Sequence, residues 1–257
     1  MVLIDSLVAS FSAAVIVVSI AFLIALLRGR RYDIIDVAWG ILFFVIAWTN
    51  VVINNANAVG VLVAVMVTLW AARLSFHIFR RWLRSDHEDR RYVELRQKWP
   101  PVFTVLQMYV RIYLTQALLA CVVALPVITL IHSHQSFGAY VAIGSLVWLA
   151  GLIIEIVADR QLRQYSASAK PGGLMTKGIW AYSRHPNYFG EILVWWGIAI
   201  MGIGTQHALL GFVGALVISS LIIFVSGIPP SERGMKKRAG WDAYKKRTSV
   251  LMPLPKR

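Results

Sequence analysis

The run Ser183-Arg184-His185-Pro186-Asn187-Tyr188-Phe189-Gly190-Glu191 sets two basic side chains, an amide, a phenol and a carboxylate at the mouth of an apolar stretch, Ile192 to Gly204. Polar groups at the edge of hydrocarbon are costly unless they bind something. Pro186 suits a first helical turn, with Arg184 and His185 at headgroup level. A helix start alone leaves Asn187 and Glu191 unexplained. They are four apart, so they share one face of the helix that follows.

Other polar residues interrupt the apolar runs. Asp36 lies one turn inside an apolar stretch, whereas Asp33 can stay at the surface. Asp36 calls for a cavity or for a partner such as Arg73 or an interfacial Arg. His77 recurs with Arg73 and Arg80 at helical spacing and could donate a proton to a substrate oxygen. Glu155, Asp159 and Arg163 are spaced i, i+4, i+8 and form one polar stripe, either self-paired or able to hold ribose and phosphate. The tail from Ser231 carries Glu232, Arg233, Tyr244 and Arg247 in a basic, aromatic context. By composition it is a lipid-surface anchor, or else a lid over an anion. Arg163, Lys170, Lys177, Arg184, Arg233 and Arg247 are enough cations for a multiply phosphorylated ligand. Gly-x-Gly-x-x-Gly, Walker and His-Glu-x-x-His signatures are lacking.

The elements that must position these groups are membrane helices. Of 257 residues, 58% are hydrophobic, far above soluble domains. Seven runs approach the length needed to span a bilayer: 7–27, 34–54, 58–79, 103–131, 139–158, 188–204 and 208–226. The prediction is an all-α polytopic membrane protein with about seven spans, Pro126 kinking the fourth. It is one membrane domain, 1–132 holding a lipophilic substrate and 133–257 a cofactor. The net charge of +14 is not a nucleic-acid footprint. Apart from Arg73 and Arg111, Lys and Arg sit in segments 28–31, 80–98, 160–184 and 233–257. The alternate loops hold none, which is the positive-inside pattern. The N-terminus is expected outside and the C-terminus in the cytoplasm, in keeping with a bacterial inner membrane. The segment 80–92 reads as a solvated loop or interfacial helix, and Lys170-Pro171-Gly172-Gly173 as a turn. A single cysteine, Cys121, excludes an internal disulfide and a Cys-cluster metal site. Leu7–Leu27 is too long for the apolar core of a cleaved signal.

The stretch 177–191, from Lys177-Gly178-Ile179-Trp180 through Arg184-His185-Pro186-Asn187 to Gly190-Glu191, resembles the signature of a reductase and methyltransferase superfamily. Its members are steroid 5α-reductases, sterol C14-reductases and isoprenylcysteine carboxyl methyltransferases. Tyr244-Lys245-Lys246-Arg247 through Pro253 resembles its closing segment. Asp36-Val37-Ala38-Trp39-Gly40 and 73–80 resemble a bacterial 5α-reductase-like branch. The resemblance implies a seven-helix monomer whose first four spans enclose a lipophilic cavity. In the reductase arm the cofactor is NADPH and hydride goes to an activated double bond of a steroid-like lipid. Asn187 and Glu191 then meet the nicotinamide amide, while Glu155, Asp159, Arg163, Lys177, Arg184, His185 and Tyr188 surround ribose and phosphates. Glu232, Arg233, Tyr244 and Arg247 close over the anionic end. The early Gln-Glu pair of the animal enzymes is lacking; His77 falls near their span-three Tyr, and Asp36 stands for the acid. In the methyltransferase arm the cofactor is S-adenosylmethionine, and Glu232 keeps that alternative open.

Overall fold

The computed structural model describes residues 2–168 and 172–255. Lys170 and Pro171, read above as a phosphate contact and part of a turn, lie outside the described residues. Among the described residues the chain is all helical, its only β feature being an isolated bridge between Ser183 and Ser249. Six helical stretches are long and apolar enough to cross a membrane. By contacts the chain groups into two compact units, Met1–Phe137 with Gly204–Gly211, and Gly138–Ile203 with Phe212–Arg257.

The first unit contains α1 (Leu3–Leu27), α2 (Ile34–Ile53), α3 (Ala58–Leu83), α4 (Arg90–Arg96), α5 (Thr104–Val123) and α6 (Leu125–His132). The buried stripe of α1 is Ser6, Ser10, Ala14, Val18, Ala21 and Ala25 with Phe22, mostly small side chains that let α2 approach. Its other faces expose Ile4, Val8, Ile16, Ile20 and Leu23, as a lipid-facing helix should. Buried amides tie the pair: Asn50 Nδ2 donates to Ser10 Oγ at 2.8 Å and Asn54 Nδ2 to Ser6 Oγ at 3.2 Å. The predicted fourth span is broken. A π turn at Tyr109–Tyr113 interrupts α5, and the chain restarts as α6 two residues beyond Val123. The break sits next to Pro126, whose ring cannot follow a regular turn.

The second unit contains α7 (Ala139–Ser168), α8 (Pro186–Met201), α9 (Ala208–Ser220) from Phe212 onward, α10 (Ile228–Met235) and α11 (Trp241–Arg247). Of the seven predicted spans, α8 is the short one. Its 16 residues extend about 24 Å at 1.5 Å per residue, short of a bilayer core. Its backbone lies almost against α7. A Cβ on Gly190 would meet Gly151 O at 2.6 Å and Glu155 N at 2.8 Å, and one on Gly197 would meet Trp148 N at 2.6 Å. Glycines seven apart on each helix, 144 and 151 facing 197 and 190, make this approach possible.

Candidate functional site

The second unit explains the start of the signature residue by residue. Ser183 is fully buried; its Oγ donates to Leu251 O at 2.7 Å and accepts from His185 N at 3.1 Å. Arg184, 4% exposed, is a clamp. Nε and Nη2 each reach Glu232 Oε1 at 2.8 Å, and Nη1 donates to Thr248 O at 2.7 Å and Lys245 O at 3.2 Å. The guanidinium also lies over the Trp241 ring, 5.7 Å from its centroid. One planar fork thus laces the loop before α8 to α10, α11 and the residues beyond.

His185 precedes Pro186 at the helix start, stacks on Tyr188 with ring centroids 5.4 Å apart, and sets Nε2 3.4 Å from Glu232. Burial pulls its pKa down to about 4 against the opposing carboxylate of Glu232, so the ring is neutral near pH 7. Tyr244 is buried and its hydroxyl donates to Trp180 O at 2.6 Å; burial pushes its pKa up to about 12. Arg184 and His185, both predicted around the cofactor, therefore meet on Glu232, and Tyr244 braces the same loop through Trp180 O and Ser183 O.

Beyond that cluster the face of α8 is open to chemistry. Asn187 Oδ1 is buried and accepts no hydrogen bond in the protein. Glu191 stands one turn further along, half-buried, and Glu155, 3% exposed, packs against the backbone of Gly190. Asp159 continues that face of α7, while Arg163, Lys177, Arg233 and Arg247 are exposed. A buried carbonyl oxygen without a donor costs free energy, and a ligand N–H would remove that cost.

In the first unit Asp36 bonds Arg91, Oδ2 to Nη2 at 2.7 Å, and accepts from the Tyr92 hydroxyl at 2.6 Å. Its partner is thus an interfacial Arg from α4. Burial drives the Tyr92 pKa well above the ordinary phenol value, which makes it a weak acid here. Asp33 is not at the surface as expected. It is 7% exposed and accepts from Trp82 Nε1 at 2.9 Å and Asp89 N at 3.1 Å. The loop after α3 folds back over the start of α2, so the polar ring sits deeper than its place in the sequence suggests. Glu88 completes the ring, accepting from Tyr32 N at 2.8 Å and pairing with Arg96 at 2.6 Å. Reading 80–92 as solvated missed Glu88, Asp89 and Tyr92; alternating signs there were the available signal.

Two cavities flank this ring. One of about 310 Å³ is polar, lined by Asp33, Asp36, Arg81, Trp82, Glu88 and Asp89 among others. The other, about 700 Å³, lies between α1, α2 and α3. Its walls are Val17, Ile20, Ala21 and Ile24, then Ile34, Val37, Ala38, Ile41 and Val45, then Ser75, Phe76 and Phe79. Ser75 is its single polar side chain, and its hydroxyl donates to Val37 O at 2.9 Å. This size lies within the roughly 300–1,000 Å³ of small-molecule sites. His77, half-buried on α3, lines neither cavity.

Among the described residues, an all-helical chain with six membrane-length helices defines an integral membrane protein. The chain belongs to the family described as "Protein of unknown function (DUF1295)", which matches residues 21–248. It is 26% identical over 181 residues to an uncharacterized protein of Schizosaccharomyces pombe, covering 62% of this chain and 53% of that one. It is 35% identical over 71 residues to human 3-oxo-5-alpha-steroid 4-dehydrogenase 1, 27% of each chain. It is 37% identical over 60 residues to the Arabidopsis thaliana protein "Steroid 5-alpha-reductase DET2", 23% of each. The chain thus spans about half the length of the first relative and about a quarter of the reductases. No solved structure matches it.

Proposed function

We propose that the protein is an NADPH-dependent membrane reductase of an activated C=C bond in a lipophilic, steroid-like substrate. One observation carries the reading: Asn187 Oδ1, buried and without a donor, on the face that also holds Glu191. The carboxamide of a nicotinamide offers the N–H that this oxygen lacks. The likeness to named steroid reductases supports the same class. When bound, the cofactor supplies hydride. Asn187 and Glu191 hold the nicotinamide amide, and Glu155 and Asp159 lie along the same wall. Exposed Arg163, Lys177, Arg233 and Arg247 meet the anionic end. Arg184 has its donors directed at protein acceptors, so its part is to hold the loop that presents Asn187. Glu232, the residue that keeps a methyltransferase reading open, is likewise engaged with Arg184. The apolar cavity of the first unit takes the hydrocarbon of the substrate, and Asp36, which lines the polar cavity beside it, polarises its oxygen, a role that His77, on neither wall, does not share. The basic loops and the C-terminus face the cytoplasm.

Oxidation of NADPH by the purified protein with a panel of lipophilic enones tests this. Glu191→Ala should lower turnover by roughly 100-fold through loss of alignment, with the unfolding temperature unchanged. Full turnover in Glu191→Ala and Asn187→Ala together would remove the proposed nicotinamide contact.

A further inference from the structure

We propose that the C-terminal strap of the second unit docks on the anionic phospholipid surface of the membrane its own helices cross, and that this docking holds the Arg184 clamp closed. Lys245 and Lys246 carry the lipid contact, while Arg247 stays with the anionic end of the cofactor proposed above, so the docking does not depend on the reductase reading.

The strap, 248–254, lies along 182–184. Ser249 O accepts from Arg184 N at 2.9 Å, Tyr182 O accepts from Leu254 N at 3.2 Å and from Ser249 Oγ at 3.0 Å. Its inner side is therefore committed to the loop. Its outer side leaves Tyr182, Val250, Met252 and Leu254 between 42% and 59% exposed. Such a cluster of large apolar side chains in water marks a contact surface. Immediately before it, the last turn of α11 exposes Lys245, Lys246 and Arg247. α8 begins three residues beyond Ser183 and its apolar run follows from Ile192, so the cluster stands on the side from which that helix enters hydrocarbon.

Apolar side chains beside exposed cations fit one environment, the headgroup boundary of an anionic bilayer. A free phosphate or nucleotide would satisfy the cations and leave Val250, Met252 and Leu254 in water. The coupling follows from shared atoms. Lys245 O and Thr248 O, which accept from Arg184 Nη1, flank the same three cations. A surface that holds residues 245–254 in place holds the acceptors of the guanidinium with them.

The test is hydrogen exchange, read by mass spectrometry, on the full chain in nanodiscs of phosphatidylcholine and of phosphatidylcholine with phosphatidylglycerol. Peptides carrying the amides of Arg184 and Leu254 should exchange at least ~10-fold more slowly in the anionic discs. High salt should erase the difference. Lys245→Gln with Lys246→Gln should erase it too, and Met252→Ser with Leu254→Ser should speed exchange in both discs. Equal exchange in the two discs of the unsubstituted protein would overturn the proposal, whatever the variants do. So would slowing in neutral discs on adding inorganic phosphate or NADPH with no response to phosphatidylglycerol, which would assign these cations to a soluble anion.

Discussion

The two units bury charge in opposite ways. The first draws in carboxylates, Asp33, Asp36 and Glu88, and meets them with donors from separate segments: Trp82, Arg91, Tyr92, Arg96 and two backbone amides. The second, besides Glu155 on α7, draws in one guanidinium and meets it with a single carboxylate and the carbonyls of the tail. A carboxylate can be satisfied piecemeal, so the first network is distributed and each member is replaceable. A guanidinium presents five donors in a fixed fork, so the second network hangs on one side chain. Order in the second unit is concentrated, and with it the presentation of Asn187.

The sharpest way to break this contrast is Arg184→Ala. It strands the Glu232 carboxylate, whose side chain is 16% exposed, and removes the donors of two carbonyls. A loss of about 3–5 kcal/mol is expected, as for one partner removed from a buried pair. It is read as thermal unfolding in detergent. The matching change in the first unit is Asp36→Asn. The carbonyl oxygen still accepts from Tyr92 or Arg91, so about 1–3 kcal/mol should be lost. A larger loss for Asp36→Asn than for Arg184→Ala would reverse the account of which network is concentrated.

A smaller effect comes from His185. Its pKa is depressed from 6.5 to about 4, first by burial. Above pH 6.5 the ring is neutral folded or unfolded. As pH falls toward 4, the unfolded chain takes up a proton that the folded one refuses, so stability present at pH 7 is lost through that window. His185→Gln should flatten the fall in unfolding temperature between pH 7 and pH 5. Identical slopes in both proteins would show that the imidazole is not held neutral by the cluster.

Much of this was legible in the residues. The apolar runs announce the helices because burial in hydrocarbon demands unbroken apolar length. The signature 183–191 announces a special helix start because its polar groups have no business at that depth. What the residues hide is geometry carried by the backbone. Lys245 and Thr248 serve Arg184 through their carbonyls, and any residue type has one. Depth along α2 alone leaves Asp33 at the surface; the fold-back of 84–96 covers it. Residues Gly144, Gly151, Gly190 and Gly197 were a readable cue, since spacing by seven returns a residue to one helix face, and they fix the approach that puts Glu155 against Gly190.

The central claim is that the face of Asn187 and Glu191 receives a nicotinamide cofactor. The most direct measurement is thermal unfolding of the detergent-purified protein titrated with NADPH and, separately, with S-adenosylmethionine. NADPH should raise the midpoint in a dose-dependent way, by the equivalent of about 2.7 kcal/mol at a hundredfold excess over Kd, and Asn187→Ala should weaken the response. A rise with S-adenosylmethionine alone, or no rise with NADPH at any concentration, would contradict it.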